Sequence, residues 1–152
     1  FANNSSFSFT TIPISNFTVV AVFQRPSAGS STITIGSDGN AAFPFWYTDS
    51  KFYVQYGGGW RASGAITTTG NFWCVSSVGT NYISADIYLN GTNVALPSTA
   101  TGSYDKNLNR IGRSGTTAYT VGRGGCYAVY DRILTESDRA TVDAIIKAKW
   151  GF

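Results

Sequence analysis

Histidine and methionine are absent from this 152-residue chain, glutamate occurs once, and only 12% of the residues are charged. Without histidine there is no Ser-His-Asp or Cys-His catalysis, and a zinc site loses its commonest ligand. No run of about 18 apolar residues occurs, so no membrane insertion is expected. The net charge of +3 is small and scattered, which argues against nucleic acid as a partner. There are two cysteines and no Cys-x-x-Cys pair. Gly57-Gly58-Gly59 lacks the Lys-Ser/Thr that phosphate cradling requires, so it reads as a bend and no cofactor is expected. What is abundant is serine and threonine, glycine (17 residues) and aromatic side chains (15%). A hydrophobic content of 43% is too high for a disordered chain. The length suits one domain over residues 1–152. Phe1 is followed by no basic or apolar leader, which leaves three alternatives: a removed signal, a piece (such as the C-terminal part) of a longer polypeptide, or a trimmed unsigned protein.

Before residue 132 nearly every segment reads as a short strand between Gly, Asn, Asp, Ser or Pro. The expected strands are Ser6–Thr11, Phe17–Arg25, Ser31–Gly36, Ala42–Thr48, Lys51–Tyr56, Trp60–Thr67, Asn71–Val78, Ala85–Leu89, Leu108–Ile111 and Cys126–Asp131. Ten strands with turns between them favour a sandwich or barrel. If Asp49-Ser50 is a two-residue turn, Trp46 faces Tyr53 and Phe45 faces Val54. Alternation then places Phe43, Phe45, Tyr47, Phe52, Val54 and Tyr56 in the core, with Trp46, Thr48, Lys51, Tyr53 and Gln55 outside. Pro44 cannot donate to a ladder and implies an edge or bulge nearby. Two further hairpin turns are expected at Asp38-Gly39 and Asn90-Gly91. At the second, Ala85, Ile87 and Leu89 face inward.

Thr18-Val19-Val20-Ala21-Val22-Phe23 is apolar on both faces, so the strand must be covered on both sides. The expected cover is one helix, Glu136–Lys149. Thr135 and Asp138 form a variant capping box before it, Val142, Ile145, Ile146, Lys149 and Trp150 form its stripe, and Gly151 ends it.

Several of these segments resemble the concanavalin A-like lectin/glucanase superfamily, specifically its laminin-G-like type found in bacterial surface and phage structural proteins. The residues that carry the likeness are Phe17-Thr18-Val19-Val20, Trp73–Val78, Ala85–Gly91, Ile111-Gly112, Tyr130–Arg139 and Lys149-Trp150-Gly151. The resemblance implies an all-β, two-sheet antiparallel jelly-roll sandwich with a short C-terminal α-helix. The fold carries lectins, adhesins, glycosidases and inert modules alike, so function must be argued from the site.

A retaining glycosidase needs two carboxylates roughly 5 Å apart. Here the single Glu136 and nearby Asp138 fall in a helix first turn, and no strand carries an acidic pair, so no enzyme and no catalytic residue is expected. Asp38, Asp49 and Asp105 belong to no calcium-loop run, and no metal is expected. Arg110, Arg113 and Arg123 read as solvated loop charge or as an anion patch. Cys74 and Cys126 are a candidate disulfide or two free thiols. Trp46, Tyr53 and Gln55, with Trp60 and Arg61 beyond the glycine bend, are the expected ligand-binding set, because sugar C–H faces stack on aromatic rings while amides orient hydroxyls. Burial of these rings within the domain, or a protein interface, are the competing readings. The leading expectation is a non-catalytic module on a secreted, extracellular, cell-surface or virion protein that recognises a glycan or surface polysaccharide. The alternative is a structural module decorating a phage capsid, tail or fibre through contacts with neighbouring subunits, and a glycoside hydrolase comes third.

Overall fold

The computed structural model describes residues 7–13, 16–25, 32–36, 42–46, 50–56, 59–78, 86–96, 107–111, 113–114, 118–119 and 123–152. At 32–36, 42–46, 54–56, 59–60, 78, 113–114, 118–119 and 123 it describes backbone alone. In chain order the strands are β1 (Phe7–Pro13), β2 (Phe17–Arg25), β3 (Thr32–Gly36), β4 (Ala42–Trp46), β5 (Lys51–Tyr56), β6 (Gly59–Ala65), β7 (Gly70–Val78), β8 (Asp86–Leu89), β9 (Thr92–Asn93), β10 (Asn107–Ile111), β11 (Arg113–Ser114), β12 (Ala118–Tyr119) and β13 (Arg123–Tyr130). One helix among the described residues, α1 (Glu136–Trp150), follows. One sheet has six strands in the order β1-β10-β3-β4-β5-β6, the other five in the order β13-β2-β7-β8-β9, and β11-β12 form a small ribbon. Every pairing is antiparallel, as in a jelly-roll sandwich.

The two faces of β2 explain the layers. Phe17, Val19, Ala21 and Phe23 point between the sheets, where they meet Phe72, Cys74, Ile87 and Leu89 of their own sheet and Phe52 and Leu108 of the other. The Phe23 ring stacks on Phe52 across the layers at 6.0 Å and on Phe72 at 6.2 Å. On the reverse face Val20 and Val22 join Trp73 and Val75 under Leu134 and Ile146. The helix thus covers the second apolar face of β2, as the two-sided pattern requires. Thr18 fastens the junction: its buried Oγ1 accepts from Leu134 N at 3.1 Å, donates to Arg132 O at 2.9 Å and meets Ser77 Oγ at 2.9 Å.

Local chemistry sets the helix ends. Thr135 Oγ1 accepts from Asp138 N and the Asp138 carboxylate accepts from Thr135 N, completing the capping box. Gly151 adopts φ 71°, and its N–H reaches Lys147 O. The buried stripe differs from the expected one. Ile146 is buried and Arg139, Val142 and Asp143 are half-buried, whereas Ile145 is 60% exposed. The helix is rotated because Asp143 accepts a hydrogen bond from Trp73 Nε1 at 2.6 Å, which draws a polar residue onto the sheet side.

The Asn90-Gly91 turn forms as expected, with φ of 51° and 80° between the paired Leu89 and Thr92. It is fastened to β7 twice, by Asn90 N to Trp73 O and Trp73 N to Asn90 Oδ1. The Asp38-Gly39 turn lies outside the described residues. In the β4–β5 hairpin the expected register is wrong by one residue: Trp46 stands opposite Phe52 and Phe45 opposite Tyr53. Pairing Trp46 with Phe52 leaves an odd number of connecting residues, and Ser50 takes φ 64°. An odd count is incompatible with the two-residue turn expected, which leaves an even number of residues between any two paired positions. The ladder is also irregular between Ala42 and Phe45, the stretch that contains Pro44, which accommodates its missing donor within a central strand.

Candidate functional site

Outer positions of the six-stranded sheet come first. On β5, Phe52 is fully buried in the inter-sheet core while its neighbour Tyr53 is half-buried. Tyr53 stands opposite Ala62, and Gln55 opposite Trp60. Positions 53, 55 and 60 therefore share one face of the β5–β6 ladder and position 61 falls on the other. The side chains of Trp46, Gln55 and Trp60 lie outside the described residues. Trp46 is separated from the set by its register position opposite Phe52. Arg61 is half-buried and its Nε donates to Leu96 O at 3.0 Å, which ties β6 to the segment after β9.

Beyond the hairpin end, Arg25 is buried at the end of β2. Its guanidinium donates to Ile66 O at 2.6 Å, Thr68 O at 3.2 Å and Ser50 Oγ at 3.3 Å. Burial lowers its pKa from the ordinary arginine value. It gathers three loop positions at one end of the β5–β6 hairpin, so it holds the platform rather than meeting a ligand.

Two carboxylates of the helix are engaged within the fold. Asp138 belongs to the capping box and pairs with Arg132 at 3.1 Å; hydrogen bonds from Thr135 hold its carboxyl below the usual range. Asp143 is tied to Trp73. Among the described residues, no three His, Cys, Asp or Glu side chains cluster as a metal site would need.

The two cysteines are free, Cys74 buried and Cys126 exposed. Cys74 stands opposite Ala21 and Cys126 opposite Val22, on either side of β2. Two inter-strand spacings, about 9–10 Å, separate them, and the pleat sends adjacent register positions to opposite faces. A disulfide needs Cα atoms within about 7 Å, so the candidate pairing is overturned. Burial pushes the Cys74 thiol up to about 12, partly opposed by a hydrogen bond with Ser76.

Two grooves flank the helix. One, of about 340 Å³, is lined by Tyr88, Glu136, Arg139 and Asp143 among others. Its polar groups face each other: the Arg139 guanidinium lies 4.4 Å from the Tyr88 ring centroid and donates to Leu134 O. The second, of about 330 Å³, lies at the C-terminal end of the helix and is lined by Gln24, Asn71, Gly124, Gly125, Trp150 and Phe152 among others. Trp150 and Phe152 are 41% and 37% exposed. Sequence reasoning assigned Trp150 to helix packing and passed over the other five residues. A signal existed, because the helix-side face of β2 turns from valine to Gln24 and that of β7 from tryptophan to Asn71.

No family model matches the sequence, and no curated protein matches it. Solved structures do. The native heptameric SAP-like pentraxin from Limulus polyphemus superposes with TM-score 0.65 at 13% identity, over 93% of this chain and 78% of that one. The Ruminococcus gnavus IT-sialidase CBM40 bound to α2,3 sialyllactose gives TM-score 0.61 at 13% identity, over 90% and 93% of the two chains. Trypanosoma rangeli sialidase in complex with the inhibitor DANA gives 0.59 at 16% identity, over 88% of this chain but 25% of that one, so this chain spans about a quarter of the sialidase. At such identities the likeness concerns the fold alone, a jelly-roll sandwich of antiparallel sheets.

Proposed function

We propose that residues 1–152 form a single, non-catalytic glycan-binding domain of the laminin-G-like type, carried by a secreted, cell-surface or virion protein. The reading is carried by one observation: positions 53, 55 and 60 share the outer face of the β5–β6 ladder, with Gln55 opposite Trp60 and the buried Phe52 on the reverse side. The residue types at these positions, two aromatics and an amide, are those whose chemistry can stack on a sugar ring and supply a donor–acceptor pair for its hydroxyls. Trp46 leaves the expected set because it stands opposite Phe52, and Arg61 acts through Leu96 as a positioning contact. The shared fold of the CBM40 structure with bound sialyllactose supports a glycan as ligand class.

A glycan array and pull-down on insoluble polysaccharide test the proposal. Wild-type protein should bind, and Tyr53→Ala or Trp60→Ala should weaken binding with little change in melting temperature. No binding to any glycan overturns the reading. One observation favours a second class: on edge strand β1, Phe7 is 66% and Ile12 40% exposed, apolar surface suited to contact between protein subunits. Stable self-association in solution without glycan binding favours that structural module.

A further inference from the structure

We infer that the groove at the C-terminal end of α1 is a separate subsite for an uncharged pyranose sugar, which rests on the glycan-binding reading but places a ligand on the opposite sheet. Gln24 and Asn71 stand opposite one another across β2 and β7 and form an amide row on the groove floor. Neither side chain is hydrogen-bonded to another described residue, so their donors and acceptors are available. The rings of Trp150 and Phe152 line the groove, and Phe152 is itself braced against Trp73 at a centroid distance of 4.7 Å. Gly124 and Gly125 also line the groove, with Gly125 directly beside the Trp150 ring. A Cβ on Gly125 would lie 2.8 Å from the Trp150 ring, so only glycine allows the indole to approach β13 this closely. A cleft of about 330 Å³ with aromatic rings beside unengaged amides suits the C–H face and hydroxyls of a sugar ring.

The charge pattern narrows the ligand. The side chains of Gln24, Asn71, Trp150 and Phe152 are uncharged. The nearest lysines belong to the last helical turn: Lys147 lies over the Trp73 ring at 5.6 Å and Lys149 over the Trp150 ring at 5.8 Å, and neither lines the groove. Arg123 stands opposite Gln24, so its register position shares the face of the amide row, while its side chain lies outside the described residues; Arg123→Gln therefore tests whether its charge reaches the ligand. Among the described residues the cleft has no lining cation to pair with a carboxylate or sulfate, and that lining suits a neutral hexose or N-acetylhexosamine.

The test is calorimetric titration of the whole chain with neutral oligosaccharides and their sialylated or sulfated counterparts, at low and high salt. Neutral sugars should bind with little salt dependence. Trp150→Ala and Asn71→Ala should each weaken that binding by about tenfold, given the contribution of a ring stack or an amide contact. Tyr53→Ala should leave this site intact, and Arg123→Gln should change the affinity by less than about twofold. Asn71 is exposed, so its variant tests the groove even where Trp150→Ala disturbs the helix end. Loss on Tyr53→Ala with no effect of Trp150→Ala or Asn71→Ala overturns this inference and leaves the glycan reading standing. Binding of acidic glycans alone, weakened by salt or by Arg123→Gln, also overturns it. No binding of any sugar overturns both.

Discussion

Trp73 is the point where β7, the Asn90-Gly91 turn and α1 meet, and removing its helix partner should cost measurable stability. The indole is 4% exposed, and its Nε1 donates to Asp143 Oδ1 at 2.6 Å. In Asp143→Ala the buried N–H loses its acceptor. A hydrogen bond to a charged group contributes about 1.5–3 kcal/mol, and the half-buried carboxylate places this one near the lower end, about 1.5–2 kcal/mol. For a chain of this length each kcal/mol shifts the melting temperature by about 2–4 °C, so a fall of about 3–8 °C is expected. Asp143→Asn retains a neutral acceptor and should recover roughly half the loss. Trp73→Phe removes the same donor along with ring volume, so its own cost is larger and mixed. The double-mutant cycle isolates the bond, with an expected coupling of about 1–2 kcal/mol in denaturant titrations. A coupling below about 0.5 kcal/mol, or an Asp143→Ala protein that melts within a degree of wild type, would refute the view that this contact orients the helix.

Thr18→Val preserves shape but leaves Leu134 N–H buried without its acceptor, so a loss of about 1–3 kcal/mol is expected in chemical denaturation. Asp138 titrates below the usual carboxylate value when folded, so its capping contribution is complete above about pH 4 and fades as the pH falls through the folded value; the stability difference between wild type and Asp138→Ala should shrink over that acid range. Thiol labelling of the native protein should modify exposed Cys126 promptly and buried Cys74 only on unfolding, and a protein with no titratable thiol would contradict the strand order.

The helix was legible because its signals are local: Thr135 and Asp138 close a box three residues apart, and Gly151 supplies the left-handed cap. The double-sided core of β2 was legible for a similar reason, since continuous apolar sequence demands two covers. The β4–β5 register was not, because it turns on a serine at φ 64° and on the ladder irregularity beside Pro44. Serine carries no strong turn signal, and proline announces a disturbance without saying which ladder absorbs it. The thiol separation depends on β2 lying between β7 and β13, a long-range fact that spacing in sequence does not contain. The helix phase was misread because hydrophobicity favoured Ile145 over Asp143, whereas the Trp73 indole supplies a partner that makes the acid the inward residue.

The amide-lined groove follows from a mismatch in length. A 15-residue helix is about 22 Å long, and a nine-residue strand about 30 Å. Coverage of the helix-side face begins at Thr18, under Leu134, and continues over Val20 and Val22 toward Trp150. The last alternate position of β2 is Gln24, paired with Asn71, and there the chain substitutes amides for apolar side chains. An apolar pair at those positions would extend the sheet's hydrophobic face past its cover, a liability for a soluble surface. Amides avoid that cost and leave hydrogen-bonding groups beside two partly exposed rings. The same geometry that protects the sheet where the helix ends therefore creates the concave, mixed surface from which a sugar site can be built.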